Sequence, residues 1–187
     1  MLVNTIFESA VEKILDVSKR FGALLDAAGI PYRVVGGLAV FLHVDAIDPL
    51  AARLTRDVDV AIDRRTLDAI RAAVEPHGFT YRHVAGVDMF LDAGVPKARS
   101  AVHAIFTGEK VRSTDLAPVP ASDPVRTKEG IWIASVADLV QMKLTSFRLK
   151  DKVHIQDLDS VGLITPEIEA SLPDPLRERL REVRATE

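Results

Sequence analysis

Apolar residues near the amino terminus recur with the spacing of an amphipathic helix. The pattern runs over residues 5–28. Gly29 and Pro31 end it, because glycine favours the carboxyl end of a helix and proline cannot continue one. A short apolar run over residues 32–35 then predicts a strand, and a second helical pattern begins at residue 38.

Further along, the apolar positions predict a mixed sheet followed by helices. In residues 55–62, valine and isoleucine alternate with polar residues, which is typical of a strand with one buried face. Short apolar runs and turn residues predict the other elements: a helix over 64–77, strands over 79–84, 87–91, 101–106 and 131–133, a helix or helix pair after Ser135, and an amphipathic helix from Pro166. This order predicts an α/β (α+β) fold. A mixed sheet flanked by helices would occupy residues 1–134, and a helical segment, residues 135–187, would pack on it.

Composition narrows the class of protein. The 187 residues are 48% hydrophobic and 27% charged, which is typical of a globular chain. The net charge of −3 provides no overall basic field for a nucleic-acid backbone, and the absence of cysteine excludes disulfides, thiolate metal sites and a cysteine nucleophile. Charged residues interrupt the apolar amino terminus, and no segment approaches the ~20 apolar residues of a membrane helix. We therefore expect a cytoplasmic protein that does not associate with a membrane.

Two carboxylates in the strand of residues 55–62 carry the first chemical signal. Asp57 and Asp59 share one face of that strand, with Cα atoms about 6.6 Å apart, while Val58 and Val60 lie on the other face. A charge removed from water is costly unless it is paired. Either this face is exposed to solvent, or the two carboxylates converge on a hard cation such as Mg²⁺.

A glycine pair carries the second signal. Gly36-Gly37 stands between the predicted strand and the predicted second helix. This order brings backbone N–H groups and the positive end of a helix dipole to one point, which favours the binding of a phosphate.

Together these signals resemble the nucleotidyltransferase fold of the DNA polymerase β superfamily, and especially its small bacterial branch of AbiEii-type toxins and minimal nucleotidyltransferases. The family pattern is a glycine pair, a gap and an R-x-T-x-D-[IV]-D run. This chain matches it with Gly36-Gly37 and with RLTRDVD at residues 53–59. The resemblance covers residues 30–110 and implies transfer of a nucleoside monophosphate from an NTP to an acceptor.

The resemblance also implies roles for individual residues. Asp57 and Asp59 would hold Mg²⁺, or Mn²⁺ in its place, and the ions would bridge the triphosphate. Thr55 and Arg56 would contribute to nucleotide binding, with the amides of the glycine pair on the β- and γ-phosphates. Arg53 is an alternative partner for phosphate oxygens, and either arginine would otherwise balance the acids.

The family usually has a third carboxylate on a later strand, and here the matching position is His103. Histidine can bind a metal or accept a proton, but it is a softer ligand that suits Mg²⁺ poorly. Asp88 or Asp92 on the preceding strand is a candidate substitute. Three outcomes stay open: His103 takes the third role in catalysis, two carboxylates hold a single metal, or the fold has lost its chemistry.

A basic helix follows the sheet. Lys143, Arg148, Lys150 and Asp151 match a K-x(4)-R-x-K-D run of the AbiEii-like branch, in which the lysine and arginine reach the nucleotide phosphates. The resemblance therefore implies that Lys143, Arg148 and Lys150 bind the nucleotide. The alternative is a solvated charged helix face, and the role of His154 on the same face is open.

The leading hypothesis is a Mg²⁺-dependent nucleotidyltransferase that modifies an RNA, a protein hydroxyl or a small molecule. It would be a component of a toxin–antitoxin system if an antitoxin partner exists. The alternative is a catalytically degenerate module that binds nucleotides or a partner. Lys97 and Arg99 in a predicted loop are candidate acceptor contacts.

Overall fold

The structure is a computed structural model that describes residues 2–53, 55, 57–94 and 101–186, with residues 2–10 described by their backbone alone. The described strands are β1 (Arg33–Val35), β2 (Val58–Ile62), β3 (Phe79–Val84), β4 (Val87–Asp92), β5 (Val102–Phe106), β6 (Val125–Arg126) and β7 (Trp132–Ile133). The described α-helices are α1 (Leu2–Ala27), α2 (Gly36–Asp45), α3 (Leu67–Val74), α4 (Val136–Ser146), α5 (Leu149–Ser160), α6 (Pro166–Ser171) and α7 (Asp174–Arg184).

The described strands form one mixed sheet in the order β3-β4-β5-β2-β1-β7-β6. Two neighbouring pairs, β2 with β5 and β1 with β7, are parallel, and the other pairs are antiparallel. The predicted α/β class, with a mixed sheet, flanking helices and carboxyl-terminal helices, is confirmed. Among the described helices, none has both the length and the apolar character needed to cross a membrane.

One face of the sheet is closed by an aromatic cluster. Phe21 of α1 meets Phe79 and Phe90 with ring centroids 5.2 and 5.1 Å apart, and all three side chains are buried. Residues on β4 that alternate with Phe90, such as Met89, must point to the opposite face. The candidate site therefore lies on the face of the sheet opposite this cluster.

The carboxyl-terminal helices are held by the apolar residues that the sequence pattern identified. Leu176, Leu180 and Val183 of α7 are buried, and α7 packs on α4 and α5, which in turn pack on α2. The boundary between residues 134 and 135 stays a prediction.

Several element boundaries differ from the sequence predictions for local reasons. The strand predicted from residue 55 begins at Val58, so Asp57 precedes the strand. The helix predicted from Pro166 is two helices, because Leu172 is extended before Pro173, as the residue before a proline usually is. Phe147 has φ +49°, and this left-handed residue separates α4 from α5.

Candidate nucleotide site

One row of residues crosses four strands and organises the site. Val35 of β1 pairs with Asp59 of β2, Asp59 pairs with His103 of β5, and His103 pairs with Met89 of β4. Paired residues on adjacent strands project their side chains from the same face, and adjacent strands are about 4.8 Å apart. The four side chains thus follow one another from the middle of the sheet toward its β3 edge.

His103 lies beside Asp59, where the resemblance predicts a third carboxylate. Its Nδ1 is 3.5 Å from Oδ1 of Asp59, and both side chains are half-buried. The hydrogen bond with Asp59 raises the pKa of His103 above the usual histidine value, although burial opposes the shift. An imidazole therefore stands next to the carboxylate at this position.

The two candidate substitutes for the third acid are on the other face of the sheet. Asp88 is paired with Ala104, one residue out of step with the row through His103, and it accepts hydrogen bonds from Tyr81 (2.5 Å) and His83 (2.8 Å). Asp92 is ion-paired with Arg20 of α1. The prediction that either acid substitutes is wrong, because the strand register directs both away from Asp59.

Both glycines lie so close to Asp59 of β2 and to Thr55 before β2 that a side chain at either position would clash. Gly36 has φ +69°, and a Cβ atom there would lie 2.1 Å from Oδ2 of Asp59. A Cβ atom on Gly37 would lie 2.6 Å from Oγ1 of Thr55. Only glycine lets the start of α2 approach these side chains so closely.

The same two glycines begin the first turn of α2, which starts two residues earlier than the sequence predicts. Val35 precedes them and provides no side-chain cap for the helix. The N–H groups of a first helical turn lack partners within the helix, and the helix dipole favours an anion there. Val35, Gly36 and Gly37 line the cavity that contains Asp57 and Asp59.

The basic helix contributes a buried charge network. The carboxylate of Asp151 has no exposed surface and accepts hydrogen bonds from Lys143 Nζ (3.1 Å), Ser146 Oγ (2.6 Å) and Arg148 Nε (2.9 Å). Burial alone would raise the pKa of Asp151, but the Lys143 charge and these donors lower it to about 2. Burial lowers the pKa of Lys143, and the four-membered network favours the ionised pair because Asp151 has donors on both oxygens.

Three further residues with basic side chains from this helical region line the cavity beside Lys143. They are Arg148, Lys150 and His154. Nδ1 of His154 is buried without a hydrogen-bond partner among the described residues. Burial lowers the pKa of His154 to about 4, and the positive charge of Lys143 is the second cause of this shift. The imidazole is therefore neutral at pH 7.

The segment before the acids is tied to α5. Nε of Arg53 donates to Oδ1 of the buried Asp157 at 2.8 Å, so Arg53 balances an acid of α5. Thr55 lines the cavity. Arg56 lies outside the described residues, as do Lys97 and Arg99 of the predicted acceptor loop.

The cavity itself has a volume of about 780 Å³. At one end lie Gly36, Gly37, Lys143, Arg148 and Lys150, which we call the phosphate end. At the other end lie Val87, Met89, Ile105, Val111, Ala117 and Pro118, which we call the apolar wall. Sequence reasoning missed the apolar wall, since its members come from β4, β5 and the segment after β5 and meet only through the sheet register.

The carboxylates of Asp57 and Asp59 suit one hard cation, whereas the neighbouring His103 does not. Both side chains are half-buried and line the same cavity, and Mg²⁺ is commonly bound by one or two carboxylates together with substrate phosphates and water. No group of three metal-binding side chains occurs among the described residues. The neighbouring His103 adds a nitrogen, which Mg²⁺ does not prefer.

Comparisons with known proteins assign the fold. No protein-family model and no curated protein matches the chain. Among solved structures, it is similar to an antigenic nucleotidyltransferase-like protein from Paracoccidioides brasiliensis, with a TM-score of 0.62, 18% identity, and coverage of 94% of this chain and 88% of that protein. The chain therefore has a nucleotidyltransferase-like fold.

More distant similarities have TM-scores below 0.5. Comparison with the solution structure of the antibiotic-resistance factor ANT(2'')-Ia gives a TM-score of 0.48 and 14% identity, with coverage of 92% of this chain and 83% of that protein. A Megavirus polyadenylate synthase has a TM-score of 0.43 and 11% identity, with coverage of 96% of this chain and 34% of that protein.

Proposed function

We propose that this protein is a Mg²⁺-dependent nucleotidyltransferase that transfers a nucleoside monophosphate from an NTP to a hydroxyl acceptor. One observation carries the proposal: Asp57, Asp59 and the uncapped first turn of α2 line a single cavity. Carboxylates and free N–H groups next to one another suit a triphosphate accompanied by a cation. The carboxylates attract the cation, and the N–H groups attract the phosphate oxygens.

Each part of the site has a role in this proposal. Asp57 and Asp59 would hold Mg²⁺, or Mn²⁺ in its place, and a bound ion would stabilise negative charge on the phosphate oxygens. The amides of Gly36 and Gly37 bind the β- and γ-phosphates, and Lys150 contributes positive charge.

Two further residues of the phosphate end act less directly. Lys143 supports the pocket through its ion pair with Asp151, because its ammonium group already has a partner. Arg148 donates its Nε to the same carboxylate, and the rest of its half-exposed guanidinium lies at the cavity.

His103 is the residue that separates the two candidate functions, transfer of a nucleotide and binding alone. Its position beside Asp59 suits a proton acceptor for the attacking hydroxyl. The same substitution of an imidazole for a carboxylate favours a second candidate function, a module that binds a nucleotide without transferring it. The acceptor classes RNA and protein hydroxyl, the AbiEii-like branch, and an antitoxin partner stay predictions from the resemblance.

The test has a binding arm and a transfer arm. In the binding arm, each NTP with Mg²⁺ is expected to raise the melting temperature, and removal of Mg²⁺ with a chelator is expected to abolish the rise. Asp59→Asn should lose the effect, while the matched control Asp68→Asn, at an aspartate whose side chain is 93% exposed on α3, should keep it.

In the transfer arm, α-labelled NTP is incubated with total RNA, total protein and small-molecule extracts. Label incorporation that disappears in Asp59→Asn supports the transferase. Binding of NTP without incorporation into any fraction supports the binding module, and the absence of NTP binding refutes both functions.

A further inference from the structure

The cavity continues past His103, away from the phosphate end. Met89 is the next member of the cross-strand row, so its side chain lies beside that of His103. Val87, two residues earlier on β4, and Ile105, two residues later on β5, project from the same face. The space next to the reacting group is thus lined by apolar side chains from the sheet.

The segment after β5 also contributes to the lining of this cavity. Val111, Ala117 and Pro118 line the same cavity. Val111 is 62% exposed and Val87 is 43% exposed. The apolar wall therefore presents uncovered carbon atoms in a concave setting, which is typical of a site for an apolar ligand.

The charges at this end contrast with those at the phosphate end. Among the described lining residues here, Arg112 and Asp115 contribute one positive and one negative charge. One charge of each sign gives no net charge. A polycation would need several carboxylates here and a polyanion several cations, so charge complementarity favours an uncharged ligand.

Resting on the proposed function, we propose that the acceptor is an uncharged small molecule with an apolar skeleton and one hydroxyl group near His103. Its skeleton packs on the apolar wall, and its hydroxyl oxygen forms a bond to the α-phosphorus of the NTP. The bond between that phosphorus and the oxygen bridging to the β-phosphate breaks, pyrophosphate leaves, and the hydroxyl proton passes to the imidazole of His103 and from there to water.

A nucleic-acid acceptor fits this end less well. Single-stranded RNA is usually bound by aromatic side chains that stack on its bases and by cations along its backbone. The described lining of the cavity contains no Phe, Tyr or Trp. The proposal therefore assigns the apolar wall to a small molecule, and RNA serves as a contrary arm of the test.

The first experiment measures binding to the apolar wall without nucleotide. Saturation-transfer NMR of the full chain with menthol and with 2-phenylethanol reports contact between each probe and the protein. Val111→Asp places a carboxylate against the probe and should weaken binding by about tenfold. Ala117→Phe fills the space without adding charge and should also weaken it. The matched control Val125→Asp, at a valine that is 45% exposed on β6, should bind as the wild type does.

The second experiment measures pyrophosphate release from ATP and Mg²⁺ in the presence of different hydroxyl compounds. We expect stimulation by menthol or 2-phenylethanol, and none by neamine, a hexameric RNA with a free 3′ hydroxyl, or a serine peptide. Stimulation by one of the latter three alone overturns the proposal.

The remaining outcomes separate this inference from the proposed function. The acceptor assignment is overturned if neither probe contacts the protein, or if Val111→Asp and Val125→Asp bind equally while circular dichroism shows both folded. If the probes bind but no NTP raises the melting temperature, the transferase is refuted, and the acceptor role falls with it although the apolar binding site stands.

Discussion

Replacing Gly36 by alanine tests the closest contact in the site. Alanine in the left-handed region costs about 1–2 kcal/mol. At this position, the new Cβ atom would also lie 2.1 Å from Oδ2 of Asp59, so the carboxylate must move away. We expect Gly36→Ala to reduce both the free energy of unfolding and the affinity for Mg²⁺ with ATP.

Gly29→Ala is a matched control for the free-energy cost of placing alanine in the left-handed region. Gly29 has φ +66°, almost the same as Gly36, but its added Cβ atom would meet nothing within 4 Å in the described part of the chain. It should lose the same 1–2 kcal/mol or so, a fall of about 2–8 °C in melting temperature for a chain of this size. Gly36→Ala should lose more, by the cost of displacing Asp59.

The assay is the melting temperature of each variant with and without ATP and Mg²⁺. A ligand at a hundred times its Kd stabilises the folded state by about 2.7 kcal/mol. Gly29→Ala should retain this gain and Gly36→Ala should lose most of it. In an Asp59→Ala background most of the extra cost of Gly36→Ala should disappear, because the carboxylate is absent and only the Cβ atom at position 59 remains, 3.1 Å away.

Two results would refute this reasoning. The first is a full ATP-dependent gain in Gly36→Ala, which would mean that the approach of α2 to Asp59 is irrelevant to nucleotide binding. The second is equal destabilisation by Gly29→Ala and Gly36→Ala, which would mean that Asp59 does not occupy the space above Gly36.

Three further predictions concern the polar residues around the cavity. Asp151→Asn should destabilise the protein by about 2 kcal/mol at pH 7, since its pKa in the folded state is about 2 against an ordinary 3.8. Because the folded-state pKa is the lower one, the wild type should lose this advantage as the pH falls from about 4 to 2, as measured by denaturant titration. His154→Phe should raise the melting temperature in the absence of ligand, because an unpaired buried nitrogen costs about 1–3 kcal/mol, and should lower the ATP-dependent gain if the nucleotide normally supplies the partner. His103→Asp should tighten the binding of Mg²⁺ with ATP in calorimetry, because it places an oxygen ligand next to Asp59.

Each of these predictions has a contrary result. If Asp151→Asn has the same free energy of unfolding as the wild type at pH 7, the network with Lys143 does not stabilise the fold. If His154→Phe has the melting temperature of the wild type, a water molecule hydrogen-bonds to Nδ1 of His154 in the wild type. Weaker metal binding by His103→Asp would mean that repulsion between the two carboxylates outweighs their attraction for the ion.

The sequence predicted the fold through signals that depend only on neighbouring residues. Alternation over residues 55–62 identified the buried face of β2, and Gly36-Gly37 identified the strand-to-helix turn. The i, i+2 spacing also predicted that Asp57 and Asp59 lie on one side, and both line the cavity although Asp57 precedes β2. These features are local, so no pairing partner was needed to predict them.

The predictions that failed required knowledge of strand register. Asp88 is one residue out of step with the row through His103, and only the pairing of β4 with β5 reveals this. The ion pair between Arg53 and Asp157 joins positions more than a hundred residues apart, and a propensity argument has no access to such contacts. The apolar wall was missed for the same reason.

The residues of the cross-strand row come from separate stretches of the chain. Val35 and Asp59, which lie next to the glycine pair of the phosphate end, belong to β1 and β2, whereas Met89 belongs to the hairpin at the sheet edge. Under the proposed function, mutation in that hairpin should therefore alter which acceptor is used without changing the residues that bind the nucleotide. Such a separation would let related proteins change their acceptors while the remainder of the molecule keeps its shape.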